Sequence, residues 1–117
     1  EGVLKGRISL EKFVELTATG PAKTYGIHPR KGAICIGADA DLVIWDEREL
    51  TIRNSALHHA VDYTPYEGMR LGAWPAFTLL RGEVLWDGTS CVGPRNQGRF
   101  IAAGRPSILP PAHLAAA

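Results

Sequence analysis

Two aspartates one residue apart, Asp39 and Asp41 in the stretch KGAICIGADADLVIWD, have the oxygen chemistry to grip a hard cation. Positions i and i+2 of a strand share a face, which brings two carboxylates together. The apolar run at 42–45 begins at once, however, and leaves little room for a hydrated ion. The reading favoured by the residues is a turn. Gly37 supplies φ freedom, Asp39 bonds its own backbone two residues on, and Asp41 marks the start of a strand. His58 and His59, with Asp62 and Glu67 close by in the chain, can be written as a zinc site. Adjacent side chains point in different directions, and zinc pairs come as H-x-H on a strand or at i, i+4 on a helix. A loop histidine bonded to a carbonyl, or lying at a subunit contact, fits better. His28 and His113 are isolated.

Nucleophiles fare no better. Ser9 is well placed as a helix cap, while Ser55, Ser90 and Ser107 lack the G-x-S-x-G elbow. Cys35 and Cys91 have no base at a recognisable spacing. The 13 glycines include no G-x-G-x-x-G or P-loop spacing between a strand and a helix. Trp45, Tyr63, Tyr66, Trp74 and Trp86 can be read as a ligand platform, but such residues are more often core or interface anchors. The expectation is therefore no catalytic, cofactor-binding or metal-ligating residue in this chain.

The elements that must carry these residues follow from pattern and punctuation. Ser9 caps a helix whose apolar residues Leu10, Phe13 and Val14 repeat at helical spacing; Gly20 is expected to end it and Pro21 to open a second, short helix that Gly26 stops. From residue 31 the period changes. Strands are expected at 33–36, 42–45 and 50–53, with Cys35 buried as a reduced thiol in the first. Residues 56–69 read as a long functional or interfacial loop. Strands at 77–80 and 83–86 flank the two-residue turn Arg81-Gly82, Asp87-Gly88 ends the hairpin, and Phe100-Ile101 is an isolated pair able to dock.

A chain of 117 residues, 45% hydrophobic and with a formal charge of +1, has the make-up of one soluble domain. Scattered basic residues without interleaved aromatics argue against a nucleic-acid partner, and apolar runs of only a few residues argue against a membrane. Two cysteines are no disulfide framework, which points to a cytoplasmic setting. The chain begins at EGVLKGRISL without an initiator Met, so a piece of a longer protein is expected, and the alanines at 115–117 are open to reading as a vector-derived scar.

Two blocks carry a resemblance. GPAKTYGIHPRKGAICIGADADLVIWD and, later, DYTPYEGMRLGAWPAFTLLRGEVLWDG are similar to stretches of the hydantoinase and dihydropyrimidinase group of the amidohydrolase superfamily. The similarity covers roughly residues 1–105 and implies the carboxyl-terminal segment of a protein several times longer. Gly20 and Thr64 stand where relatives often have Asn, which leaves the subgroup open. The implied fold class is mainly β with an N-terminal helical segment, part of the small β-sandwich that accompanies a (β/α)8 barrel. On that basis residues 1–30 are the last helices of the barrel region, 31–104 a sandwich segment, and 105–117 an extended Pro- and Ala-rich tail.

The resemblance also implies a cyclic amide hydrolase that opens a dihydropyrimidine or hydantoin ring with two bridged divalent metals, usually zinc. The implied ligands, an H-x-H pair, further histidines, a carboxylated lysine and an aspartate, lie upstream of Glu1 and fall on no residue of this sequence. Implied partners are the barrel domain, further subunits of a homotetramer and a small cyclic amide. Alternatives are a non-catalytic dihydropyrimidinase-related scaffold protein and an allantoinase-like enzyme; a free-standing β module that binds a ligand around the aromatics is weaker.

Overall fold

A computed structural model of the chain describes residues 2–107. Expectations placed at 108–117, including His113 and most of the tail, lie outside the described residues. The chain divides into two compact units, Asp41–Pro94 and Gly2–Ala40 with 95–107. It is mostly β with one N-terminal helix.

In the helical unit, α1 (Leu10–Val14), a π-helical segment (Glu15–Thr19) and α2 (Gly20–Thr24) follow one another without a break. Ser9 caps the start as expected, its Oγ accepting from the Lys12 N–H at 3.1 Å. The stop expected at Gly20 does not occur. Proline has no N–H to give and crowds the carbonyl four residues back, and the helix passes Pro21 through a widened turn in which the Gly20 N–H reaches Glu15 O. Gly26 ends the helix, at φ +66°. There the Ile27 N–H donates to Ala22 O at 2.9 Å and the Gly26 N–H to Lys23 O at 3.3 Å, the paired bonds of a Schellman cap.

Gly32 fastens the following loop to this helix. The Thr19 hydroxyl donates to Gly32 O at 2.8 Å. A Cβ on Gly32 would lie 2.6 Å from Ala22 Cβ and 2.8 Å from Ala18 O. Ala22, 3% exposed, is thereby sealed. Farther along the chain the Gly104 N–H donates to Gly26 O at 2.7 Å and the Ser107 N–H to Lys23 O at 3.0 Å, which straps residues 104–107 to the helix end.

Asp39 closes the loop 30–39. Its N–H donates to Arg30 O at 2.9 Å, and its Oδ2 accepts from Lys31 Nζ at 2.8 Å and from Arg30 Nε at 3.1 Å. The local backbone bond expected of Asp39 is thus replaced by two cations. The strand expected at 33–36 is a loop instead, and Cys35, expected inside a core, is exposed together with Ile34 and Ile36. A strand needs a neighbour for its backbone groups, and the described residues of this unit provide none there.

In the other unit, β1 (Leu42–Asp46), β4 (Trp74–Leu80) and β5 (Glu83–Trp86) form an antiparallel sheet in the order β1-β4-β5. Leu42 lies opposite Leu79 and Ile44 opposite Phe77; a bulge follows Ile44. The expected hairpin is present, with Arg81 at φ +50° and Gly82 at φ +86°, the positive pair that two-residue hairpin turns require. Asp87 Oδ1 accepts from the Ser90 and Thr89 N–H groups, at 2.8 and 3.0 Å, and turns the chain out of β5. The Ser90 bond first, then that from Thr89, holds this carboxyl below its ordinary value. A two-stranded ladder pairs β2 (Leu50–Thr51) with β3 (Arg70–Leu71), shorter than the strand expected over 50–53 because a 3-10 turn starts at Asn54. Ile52, 9% exposed, is the buried apolar residue here. Of the pair Phe100-Ile101, Phe100 is 93% exposed whereas Ile101 is partly buried.

Two consequences are measurable. Gly32 and Gly37 both adopt positive φ, +74° and +91°, but only Gly32 is walled in. Gly37→Ala is expected to cost about 1 kcal/mol of left-handed strain, and Gly32→Ala at least about 2 kcal/mol because overpacking adds to it; equal denaturation midpoints for the two variants contradict the wedge. Asp39 is held below its ordinary 3.8, first by the Lys31 hydrogen bond and then by Arg30. A depressed carboxylate stabilises the fold above its unfolded value, and that contribution fades as pH falls through the folded value. Asp39→Asn is therefore expected to melt below wild type at neutral pH, with the gap closing under acid; a gap unchanged down to a pH of about 2 contradicts it.

Candidate functional site

The histidine loop is held at its base by backbone and by one carboxylate. Ile52 donates its N–H to Met69 O at 2.9 Å, and Gly68 donates to Ile52 O at 2.9 Å, extending the β2-β3 ladder by a short step. Glu67 Oε2 accepts the Asn54 N–H at 2.6 Å and so closes the N-terminal end of the 3-10 turn Asn54–Ala56. Arg53 Nη1 lies 3.5 Å from Glu67 Oε1, an exposed pair that adds little. Glu67, one of the four residues in the zinc reading, is therefore occupied with backbone and Arg53.

His58 packs edge-on against Trp86, ring centroids 5.1 Å apart at 72°. That contact takes the place of the carbonyl bond expected for it. His59 and Asp62 are exposed on the same loop. Among the described residues, no three His, Cys, Asp or Glu side chains are grouped so as to hold a metal ion. The donor set for a bridged pair of divalent ions does not fit these residues.

The aspartate pair separates in purpose as well. Asp39 belongs to Lys31 and Arg30, whereas Asp41 Oδ1 accepts the Arg81 N–H at 2.8 Å and so ties the lead of β1 to the β4-β5 turn, forty positions on. Sequence reading identified the turn role for Asp41 but not its partner. A bond of that span leaves no local signal, since any nearby backbone N–H competes equally well on paper. Ser9 is spent on the helix cap, and Cys35 and Cys91 are free and exposed thiols. Among the aromatics, Trp86 Nε1–H donates to Pro75 O at 3.3 Å and is half-buried, while Tyr63 and Tyr66 stand exposed on the loop.

What the geometry does offer is apolar surface. In β1, Val43, Ile44 and Trp45 are each about half exposed, although successive residues of a strand face opposite ways. Both faces of the strand are therefore apolar and partly exposed, and its edge away from β4 has no neighbouring strand among the described residues. Leu10 and Val14, one helical turn apart, are likewise exposed and line a shallow depression with Glu11, Glu15 and Thr19. Exposed apolar surface of this kind marks places where protein or ligand docks. No helix among the described residues is long and apolar enough to cross a membrane.

Residues 4–85 match the sequence profile of the amidohydrolase family. The chain is 50% identical over 102 residues to a D-hydantoinase of Ralstonia pickettii, an alignment that takes in 86% of this chain and 22% of that protein. Among solved structures it resembles the dihydropyrimidinase of Brevibacillus agri, with a TM-score of 0.83 at 39% identity over 90% of this chain and 24% of the other. It also resembles the L-hydantoinase of Arthrobacter aurescens, with a TM-score of 0.75 at 38% identity over 79% and 21%. The chain thus spans less than a quarter of the length of these relatives, and it belongs to the amidohydrolase family, in the group of the hydantoinases and dihydropyrimidinases.

Proposed function

We propose that this chain is the sheet-bearing, non-catalytic portion of a hydrolase that opens the ring of a cyclic amide, of the hydantoinase or dihydropyrimidinase type. The observation that carries the reading is the 50% identity to a D-hydantoinase over 86% of the chain. Two features of the fold support the division of labour. The described residues offer no grouped donors for a metal, and β1 presents apolar side chains on both faces and an open edge, as a strand does when layers belong on either side of it. On this reading the sheet is part of a β-sandwich completed by the rest of the polypeptide. The helix with exposed Leu10 and Val14 is among the last helices of a (β/α)8 barrel whose upstream part holds two divalent ions. Further copies assemble into a homotetramer in the cytoplasm.

The reading extends to specificity. The same fold is shared with a D-hydantoinase, an L-hydantoinase and a dihydropyrimidinase, so the fold of this segment does not by itself set the handedness of the substrate.

Metal analysis and turnover of the 117-residue chain test the proposal. The purified chain is expected to carry far less than one zinc per molecule and to hydrolyse neither hydantoin nor dihydrouracil, while the polypeptide encoded by the whole reading frame does both. Stoichiometric zinc with turnover in the short chain overturns the division of labour.

A further inference from the structure

Three threonines of the N-terminal helix put their hydroxyls to different uses. Thr17 donates to Phe13 O at 2.8 Å and Thr24 to Gly20 O at 2.9 Å, each to the carbonyl four residues back in its own helix. By the same habit Thr19 would donate to Glu15 O. In the widened turn Glu15 O takes the Gly20 N–H instead, and the Thr19 hydroxyl leaves the helix for Gly32 O at 2.8 Å.

The turn makes a demand on Gly20 as well. A Cβ there would lie 2.7 Å from Glu15 O, closer than such atoms approach in proteins, so the turn keeps its width only with glycine at this position. Backbone freedom plays no part, because φ −60° and ψ −53° are ordinary helical values. Gly32 rests on the same turn, since a Cβ on it would fall 2.8 Å from the Ala18 carbonyl. The widened turn thus supplies both the hydroxyl that grips Gly32 and part of the surface that seats it.

We infer that the π turn Glu15–Thr19 is a positioning device for the loop 30–39. Gly20 holds the turn open, the open turn frees Thr19 from its own helix, and Thr19 locks Gly32, so a side chain added at 20 releases a loop farther along the chain. That loop leads to β1 and is closed by Asp39 through Lys31 and Arg30. The device belongs to the helical unit alone, and it stands whether or not the longer polypeptide is a hydrolase.

Amide hydrogen exchange over residues 30–39 tests this in the polypeptide of the whole reading frame, with the N–H groups of Lys31 and Asp39, bonded to Ile27 O and Arg30 O, as reporters. Thr19→Val keeps the branched shape without the donor and is expected to speed exchange about tenfold, while Thr19→Ser restores the slow rate. Gly20→Ala discriminates by sign. Alanine in place of an ordinary helix-interior glycine stabilises and would slow exchange, whereas here an acceleration of about tenfold is expected. The double variant is expected to stay near tenfold, because both changes break one link; about a hundredfold means that the two act independently and overturns the device. Exchange in Gly20→Ala as slow as wild type or slower overturns it, and so does Thr19→Ser as fast as Thr19→Val. Acceleration of equal size in the β4-β5 hairpin assigns the effect to unfolding of the whole and overturns it too.

Discussion

Apolar side chains on both faces of a strand demand a layer on each side, and β1 is such a strand. Val43 and Trp45 alternate with Leu42 and Ile44, and a single sheet of three strands does not cover both sets. Most other features of the molecule can be traced to that shortage of cover. The buried apolar residues among those described are Ala22 and Ile52, one in each unit, which is a small core for a chain that is 45% hydrophobic. Burying a Val, Leu or Ile side chain is worth roughly 1.5–3 kcal/mol. The half-exposed side chains of β1 and of the helix therefore represent a reserve of several such contributions that becomes available only on contact with more protein.

What holds the units without a large core is backbone and polar fastening. The helical unit relies on the Schellman cap at Gly26, on Thr19 gripping Gly32 O, and on Asp39 drawing Lys31 and Arg30 together. In the sheet unit, Asp41 reaches the hairpin turn at Arg81 and Asp87 turns the chain out of β5. Glu67 secures the 3-10 turn at Asn54. Three of the four carboxylates that invited a metal role, Asp39, Asp41 and Glu67, turn out to be acceptors for backbone or cation partners at loop closures. Carboxylates committed in this way position strands and loops.

Local chemistry was legible from the residues alone. Ser9 as a cap, Gly26 as a stop, β1, and the hairpin around Arg81-Gly82 each depend on bonds or dihedrals within a few positions, so composition and spacing suffice to find them. The two sequence blocks likewise pointed to the family to which the chain belongs. Tertiary structure alone decided the rest. It carried the helix through Gly20 and Pro21 by a π turn, kept 33–36 out of the sheets, joined Gly104 to Gly26, and gave Asp41 a partner forty residues away. The physical reason is common to these cases: a hydrogen-bonding group or an apolar face specifies that it needs a partner, but which partner lies within reach is fixed only when distant parts of the chain are brought together.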